Sequence, residues 1–268
     1  MRRQGAGRQE RPKRWGHFLL IDIIKEVSPP KGMGDRSLRR GDVKEYDENI
    51  PVQYQEGKAP FMGMDIMVDP RVLIPRPETE LLVRTAARFL LERGDEAPYV
   101  LEIGTGSGII PLGMTRLVPG CRVLATDISE DALEVSRKNI EMSGPPGAIE
   151  LLASDMFSSL GGGFKERFDC VISNPPYVSD RDYRSLDAWV KAEPPAALRA
   201  GPEGMDHLEV IASESADFIK PGGFVAAEVG YDQAEKMKSL LVDNGFKEVG
   251  THRDLNGYER VITGWKNG

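Results

Sequence analysis

The chain has 268 residues, 40% apolar and 29% charged, with a formal net charge of −7, two cysteines and three histidines. That length suits one full hydrophobic core with an appendage, while the acidic balance disfavours a body that neutralises nucleic-acid phosphate. Cys121 and Cys170 sit in different apolar segments and His17, His207 and His252 show no ligand spacing, so neither a disulfide framework nor a metal centre is expected.

Met1 to Arg14 carries six Lys/Arg and one Glu, a basic arm electrostatically unlike the rest and expected to be a solvated tail. The first hydrophobic run, His17 to Ile24, is short and broken by Asp22. It falls well below the roughly 20 apolar residues of a membrane span, and no small-residue cleavage pattern follows it. A cytoplasmic protein with no membrane association is therefore expected. Ser28 to Asn49 mixes Pro, Gly and charge without periodicity, which makes residues 1–50 a basic arm with a reduced N-terminal region.

Residues 51–80 read as a hairpin and connecting segment. Met62, Met64, Ile66 and Val68 alternate with Gly63, Asp65 and Met67 up to Asp69-Pro70, the period of an extended pair. Ile74-Pro-Arg-Pro-Glu-Thr-Glu80 then leads into an apolar helical stripe at Leu81, Leu82, Thr85, Phe89 and Leu90. Its prolines suit a helix entry and its acids the positive end of the helix.

After Pro98, short apolar runs alternate with helical stretches, which sets residues 81–268 apart as the main domain. Strands are expected at Tyr99–Ile103, Arg122–Thr126, Ile149–Ala153, Phe168–Ser173, Gly223–Val229, Phe246–His252 and Glu259–Thr263, with helices at Ser129–Ser143 and Asp232–Asn244. This is the pattern of an α/β protein whose largely parallel sheet is covered on both faces.

Leu101-Glu-Ile-Gly-Thr-Gly-Ser-Gly108 falls where the first of these strands turns into a helix. Glycines there let the backbone curl beneath a ligand and expose amide groups to it. The third glycine comes one position too early for the dinucleotide fingerprint, that position being Ile109, and no Gly-Lys-Ser/Thr follows for gripping phosphate. The Gly-x-Ser-x-Gly nucleophile elbow is absent as well. Asp127 ends the second strand about 20 residues on, where a carboxylate can take both ribose hydroxyls; the lesser alternative is a cap for the next helix. Asp155 and Met156 follow the third strand, at the edge where a carboxylate and a thioether can border an adenine. Together these residues describe a nucleoside pocket with no phosphate grip, which S-adenosylmethionine fits.

Asn174-Pro-Pro-Tyr177 follows the fourth strand on the same edge. Consecutive prolines stiffen the backbone and donate nothing. Asn174 Oδ1 and the Pro175 carbonyl can then accept both hydrogens of a planar NH₂ group, with the Tyr177 ring stacked beneath. An amide or exocyclic amine is a poor nucleophile, so holding it in line with a sulfonium methyl is the main help a protein can give.

On these residues the sequence resembles the HemK/PrmC family, the S-adenosylmethionine-dependent glutamine methyltransferases of class I peptide-chain release factors. The resemblance runs from about Pro51 to the end and rests on Ile74 to Glu80, Glu102 to Gly108, Asp127, Asn174-Pro-Pro-Tyr-Val178, Glu193-Pro-Pro-Ala-Ala-Leu198, Gly204-Met-Asp206, Pro221 to Gly230 with Gln233, and Asp254 to Val261. It implies a Rossmann-like class I methyltransferase fold with a seven-stranded, mostly parallel sheet whose last strand is antiparallel. It also implies methylation of the side-chain amide nitrogen of the glutamine in a Gly-Gly-Gln loop. Gly104, Thr105, Gly106, Ser107, Gly108, Asp127, Met156 and Asn174 would contact the cofactor, and Asn174, Pro175, Pro176 and Tyr177 would cradle glutamine. The family often carries an aromatic residue where Met156 stands. Its members usually carry an N-terminal helical bundle that grips the release factor, and residues 1–50 offer only one short apolar run. An activating partner protein could supply that surface. The alternatives are the same chemistry on a ribosomal-protein glutamine or on an exocyclic amine of a nucleic-acid base, and a non-catalytic cofactor-binding module.

Overall fold

The computed structural model describes residues 46–268. The basic arm and nearly all of the Ser28–Asn49 linker lie outside the described residues. Helix α1 (Val52–Glu56) ends at Gly57 and leads into strands β1 (Lys58–Phe61) and β2 (Met64–Met67). These pair antiparallel from Lys58↔Met67 to Phe61↔Met64. The hairpin thus starts earlier than the alternation suggests, because Met62 is a turn residue. Met62 and Gly63 both have positive φ, 47° and 75°, the combination a tight two-residue hairpin turn requires. The strain at Met62 is offset by its buried side chain and by its amide, which donates to Glu80 Oε1 at 3.1 Å.

Helix α2 (Pro77–Arg93) opens with Pro77 in its first turn beside Glu78 and Glu80. A domain boundary between residues 80 and 81 would therefore cut a helix. The remaining elements alternate: β3 (Tyr99–Ile103), α3 (Ile109–Leu117), β4 (Arg122–Asp127), α4 (Glu130–Ser143), β5 (Ile149–Ala153), β6 (Phe168–Ser173), the short helices α5 (Asp180–Ser185) and α6 (Ala188–Lys191), then α7 (Asp206–Phe218), β7 (Ile219–Glu228), α8 (Ala234–Asp243), β8 (Lys247–Arg253) and β9 (Glu259–Trp265).

Seven strands form one sheet in the order β5-β4-β3-β6-β7-β9-β8. Strands β3 to β7 are parallel, and β9 runs antiparallel between β7 and β8. Both faces are covered. Leu101, Ile103, Val171, Val225 and Ala227 pack in one cluster with Leu208 and Ile211 of α7 and Met237 and Leu241 of α8. On alternate positions Phe224 meets Phe89 of α2 edge-on at 5.5 Å. Strand β7 begins at Ile219, four residues before the expected Gly223. Pairing jumps from Phe168↔Ile219 to Cys170↔Phe224, so Lys220-Pro-Gly-Gly223 bulges out, as proline and glycine within a strand favour.

The order reverses beside β3, whose successors β4 and β5 lie on one side and β6 and β7 on the other. In such sheets the crevice at the carboxyl ends of the strands where the order reverses is where ligands bind. Ile103, the last residue of β3, is in register with Ser173, the last of β6, and Ser173 Oγ donates to the Ile103 carbonyl at 2.7 Å. The glycine turn and the Asn-Pro-Pro-Tyr turn therefore leave the sheet side by side.

Candidate active site

The glycine turn departs from β3 with Gly104, Gly106 and Gly108 all left-handed, at φ 78°, 55° and 82°. Its amides do not project as an anion nest. Gly104 and Thr105 donate to the Thr126 carbonyl, Gly108 to the Thr105 carbonyl, and Gly106 to Asp127 Oδ2 at 2.8 Å. Four of its amides are thus taken up within the protein, while the Ser107 amide donates to none of the described residues, so the expectation of exposed amides holds for only part of the turn and no full phosphate nest forms. Asn139 of α4 fixes it from behind, donating to the Ser107 and Met67 carbonyls at 2.9 Å and accepting from the Met67 amide. One side chain thereby fastens the hairpin to the turn.

Asp127 accepts from Gly106 N and, through Oδ1, from Ser129 N at 2.9 Å. It is not the cap of α4. Ser129 fills that role, its hydroxyl accepting from Ala132 N. Burial raises the Asp127 carboxyl above its ordinary range, and the backbone donors at Ser129 and Gly106 oppose the rise. Each oxygen keeps a lone pair for a hydroxyl.

Beneath the turn lies Glu102, fully buried, with neither carboxylate oxygen hydrogen-bonded among the described residues. Burial pushes it up to about 8; the Thr105 hydroxyl lowers it only partly and, falling short of hydrogen-bond geometry, is itself unpartnered. An unpaired buried carboxylate is costly, and Glu102 itself has no exposed surface and does not line the cavity above the turn.

A cavity of about 330 Å³ opens above the turn, in the range of small-molecule sites. Of the residues singled out in the sequence, Gly104, Thr105, Gly106, Ser107, Asp127, Asp155, Met156, Asn174 and Pro176 line it, while Gly108, Pro175 and Tyr177 do not. Met156 has a left-handed backbone, φ 48°, and the Ser154 hydroxyl donates to its carbonyl at 2.8 Å. Strain of order 1 kcal/mol or more at a ligand-facing residue is a recurrent mark of a functional site. The cavity also takes in Ile128, 64% exposed, and His207, which carries a buried, unpartnered Nδ1 and a pKa lowered by burial. That the isoleucine directly after Asp127 is exposed appears only in the folded chain.

The Asn-Pro-Pro-Tyr turn closes the opposite wall. Asn174 Nδ2 donates to Thr79 Oγ1 of α2 at 2.9 Å. Asn174 Oδ1 and the Pro175 carbonyl accept no hydrogen bond from the described residues. Tyr177 lies against the hydrophobic core with its hydroxyl 3.4 Å from Glu228 Oε1, and burial followed by Glu228 raises its pKa. Its ring therefore backs the turn from outside the cavity, where the sequence suggests a stacking surface within it. Gln233 secures the turn, donating from Nε2 to the Tyr177 and Gly204 carbonyls at 2.9 Å and accepting from Gly230 N. The outer wall is braced by Glu193, 1% exposed, which accepts from the Ile74 amide and from Arg76. Thr79, Glu102, Glu193 and Glu228 all fall in motifs that carry the family resemblance, but their partners in the site appear only in the folded chain, where Thr79 alone of the four lines the cavity.

A family model described as the methyltransferase small domain matches residues 80–201. A release factor glutamine methyltransferase of Geobacter sulfurreducens is 35% identical over 92% of this chain and 82% of its own length. One of Bordetella pertussis is 39% identical over 80% and 77%. Among solved structures, a methyltransferase from Pyrococcus furiosus overlays with a TM-score of 0.56 at 22% identity, covering 82% of this chain and 97% of its own, a likeness of fold. With coverage and identity of that order, the chain belongs to the release factor glutamine methyltransferase family, whose members depend on S-adenosylmethionine.

Proposed function

We propose that the protein methylates the side-chain amide nitrogen of the glutamine in the Gly-Gly-Gln loop of a class I peptide-chain release factor, in the cytoplasm. The observation that carries this reading is the register pairing of Ile103 with Ser173, which sets a nucleoside-type turn beside a rigid amide cradle within one crevice. Family membership supplies the substrate class.

The residues fit S-adenosylmethionine. Asp127 offers free lone pairs for ribose hydroxyls, Ile128 and Met156 give apolar contact for a base, and the buried carboxylate of Glu102 lies behind the glycine turn. When bound, the cofactor supplies an electrophilic methyl group on a sulfonium. The chain contributes placement and charge. An amide nitrogen has its lone pair delocalised, so the effective work is to hold it at attack distance and orientation. Asn174 Oδ1 and the Pro175 carbonyl accept its two hydrogens and stabilise the positive charge that grows on nitrogen. The proton leaves to solvent once the new bond makes it acidic, so the site needs no strong base.

With labelled cofactor, the purified chain should label a wild-type release factor and leave its Gln→Ala loop variant unlabelled; equal labelling of both would remove the glutamine assignment. Asn174→Ala should lower kcat by roughly 10²-fold, as losing one preorganised acceptor commonly does, whereas wild-type turnover in that variant would contradict the cradle.

A further inference from the structure

Asn174 can accept from the substrate only if its amide is turned with Oδ1, and not Nδ2, toward the crevice. The two orientations have nearly the same shape, so packing does not choose between them. A hydrogen-bond chain does. Asn174 Nδ2 donates to Thr79 Oγ1 at 2.9 Å, and Thr79 Oγ1 donates to Glu228 Oε2 at 2.8 Å. Thr79 and Glu228 are both buried, at 0% and 1% exposure, so water does not compete for these bonds. A hydroxyl has one hydrogen. When Glu228 is ionised it only accepts, the Thr79 hydrogen must point to it, and Thr79 presents only lone pairs to Asn174. Only the NH₂ side of Asn174 can then face Thr79.

We propose that Glu228, acting through Thr79, is a positioning relay that locks the Asn174 amide with Oδ1 toward the methyl acceptor. The proposal rests on the reading of Asn174 as the acceptor of the substrate amide. Neither Thr79 nor Glu228 acts on the reacting atoms.

The relay is sensitive to protonation. Burial above all, and Glu78 of α2, lift Glu228 against the opposing pull of Thr79, Arg260 of β9 and the Tyr177 hydroxyl, to about 7 in all. Once protonated, Glu228 can donate to Thr79, whose hydrogen is freed to turn toward Asn174, and the flipped amide is then equally well bonded. Turnover should fall as pH drops through about 7.

The test uses the full chain. Thr79→Val keeps the shape and removes both hydrogen bonds. It should lower kcat at least roughly 10-fold while leaving KM for the release factor and Kd for the cofactor within about 3-fold, and Thr79→Ser should restore kcat. Glu228→Gln should abolish the acidic limb of the kcat–pH profile. A second readout needs no turnover: the Asn174 side-chain NH₂ resonances, identified by their loss in Asn174→Asp, should titrate with a midpoint near 7 in the wild type and not in Glu228→Gln. Wild-type kcat in Thr79→Val, or an Asn174 resonance pair indifferent to pH in the wild type, would overturn the relay. Failure of the wild type to methylate any release factor would instead remove the substrate reading, with the resonance titration still deciding the relay.

Discussion

Glu102 shows how a site residue hides within a regular element. It opens the motif Glu102 to Gly108 that carries the resemblance, yet no role attaches to it in the sequence, and only the folded chain reveals two unpartnered oxygens under the glycine turn. The burial of this carboxylate works against the protein whenever the group is ionised. A carboxyl raised to about 8 in the fold, against an ordinary value of 4.5, stabilises the native state at acid pH. That contribution is lost as pH rises through its folded pKa, a change of order 5 kcal/mol. Glu228, raised to about 7, acts in the same direction. Thermal unfolding of the cofactor-free protein should show Tm falling between pH 5 and 9, more steeply than for Glu102→Gln. That variant should be more stable than wild type at pH 8.5. By contrast, Asp127 was legible from its spacing after the glycines. Its bond to Gly106 was not, because hydrogen-bond partners across a turn have no sequence period.

At the level of elements, the catalytic turn is rigid because other segments hold it. Prolines 175 and 176 limit its backbone, but Gln233, just before α8, and Gly204, before α7, fix where it sits. Gly204 has φ 73°, and a Cβ there would come within 2.4 Å of the Tyr177 carbonyl and 2.9 Å of Gln233 Nε2. Gly204→Ala should therefore displace the cradle, lowering kcat by roughly 10-fold or more, as small misplacements of reacting groups do. Cofactor affinity should change little, since the glycine turn lies on the neighbouring strand. An assay showing equal losses in both would indicate general unfolding instead. Elements with a clean period were placed well from sequence: β3, β5 and β6 match residue for residue, and α4 differs from its expected start only by its cap. The misplacements arise where backbone geometry overrides pattern, as at Met62, which joins an apolar alternation yet turns the hairpin, and at the Lys220–Gly223 bulge.

For the molecule as a whole, the reversal of strand order beside β3 is what turns two unremarkable turns into one site. Alternation of strands and helices was enough to infer a parallel sheet covered on both faces. The antiparallel direction of β9 came from family resemblance, because nothing in the run Glu259–Thr263 specifies direction, and its place between β7 and β8 appears only in the structure. The relay from Glu228 through Thr79 to Asn174 joins residues 149 and 95 apart in sequence, a separation at which single-sequence patterns are silent. Among the described residues no helix is long and apolar enough to cross a membrane. The most direct measurement is a crystal structure of the complex with S-adenosylhomocysteine and a release factor. The glutamine side-chain nitrogen should lie about 3 Å from both Asn174 Oδ1 and the Pro175 carbonyl, with the cofactor sulfur over the turn Gly104–Gly108. A glutamine bound away from Asn174, or a cofactor seated elsewhere than over the glycine turn beside Asp127, would contradict the account.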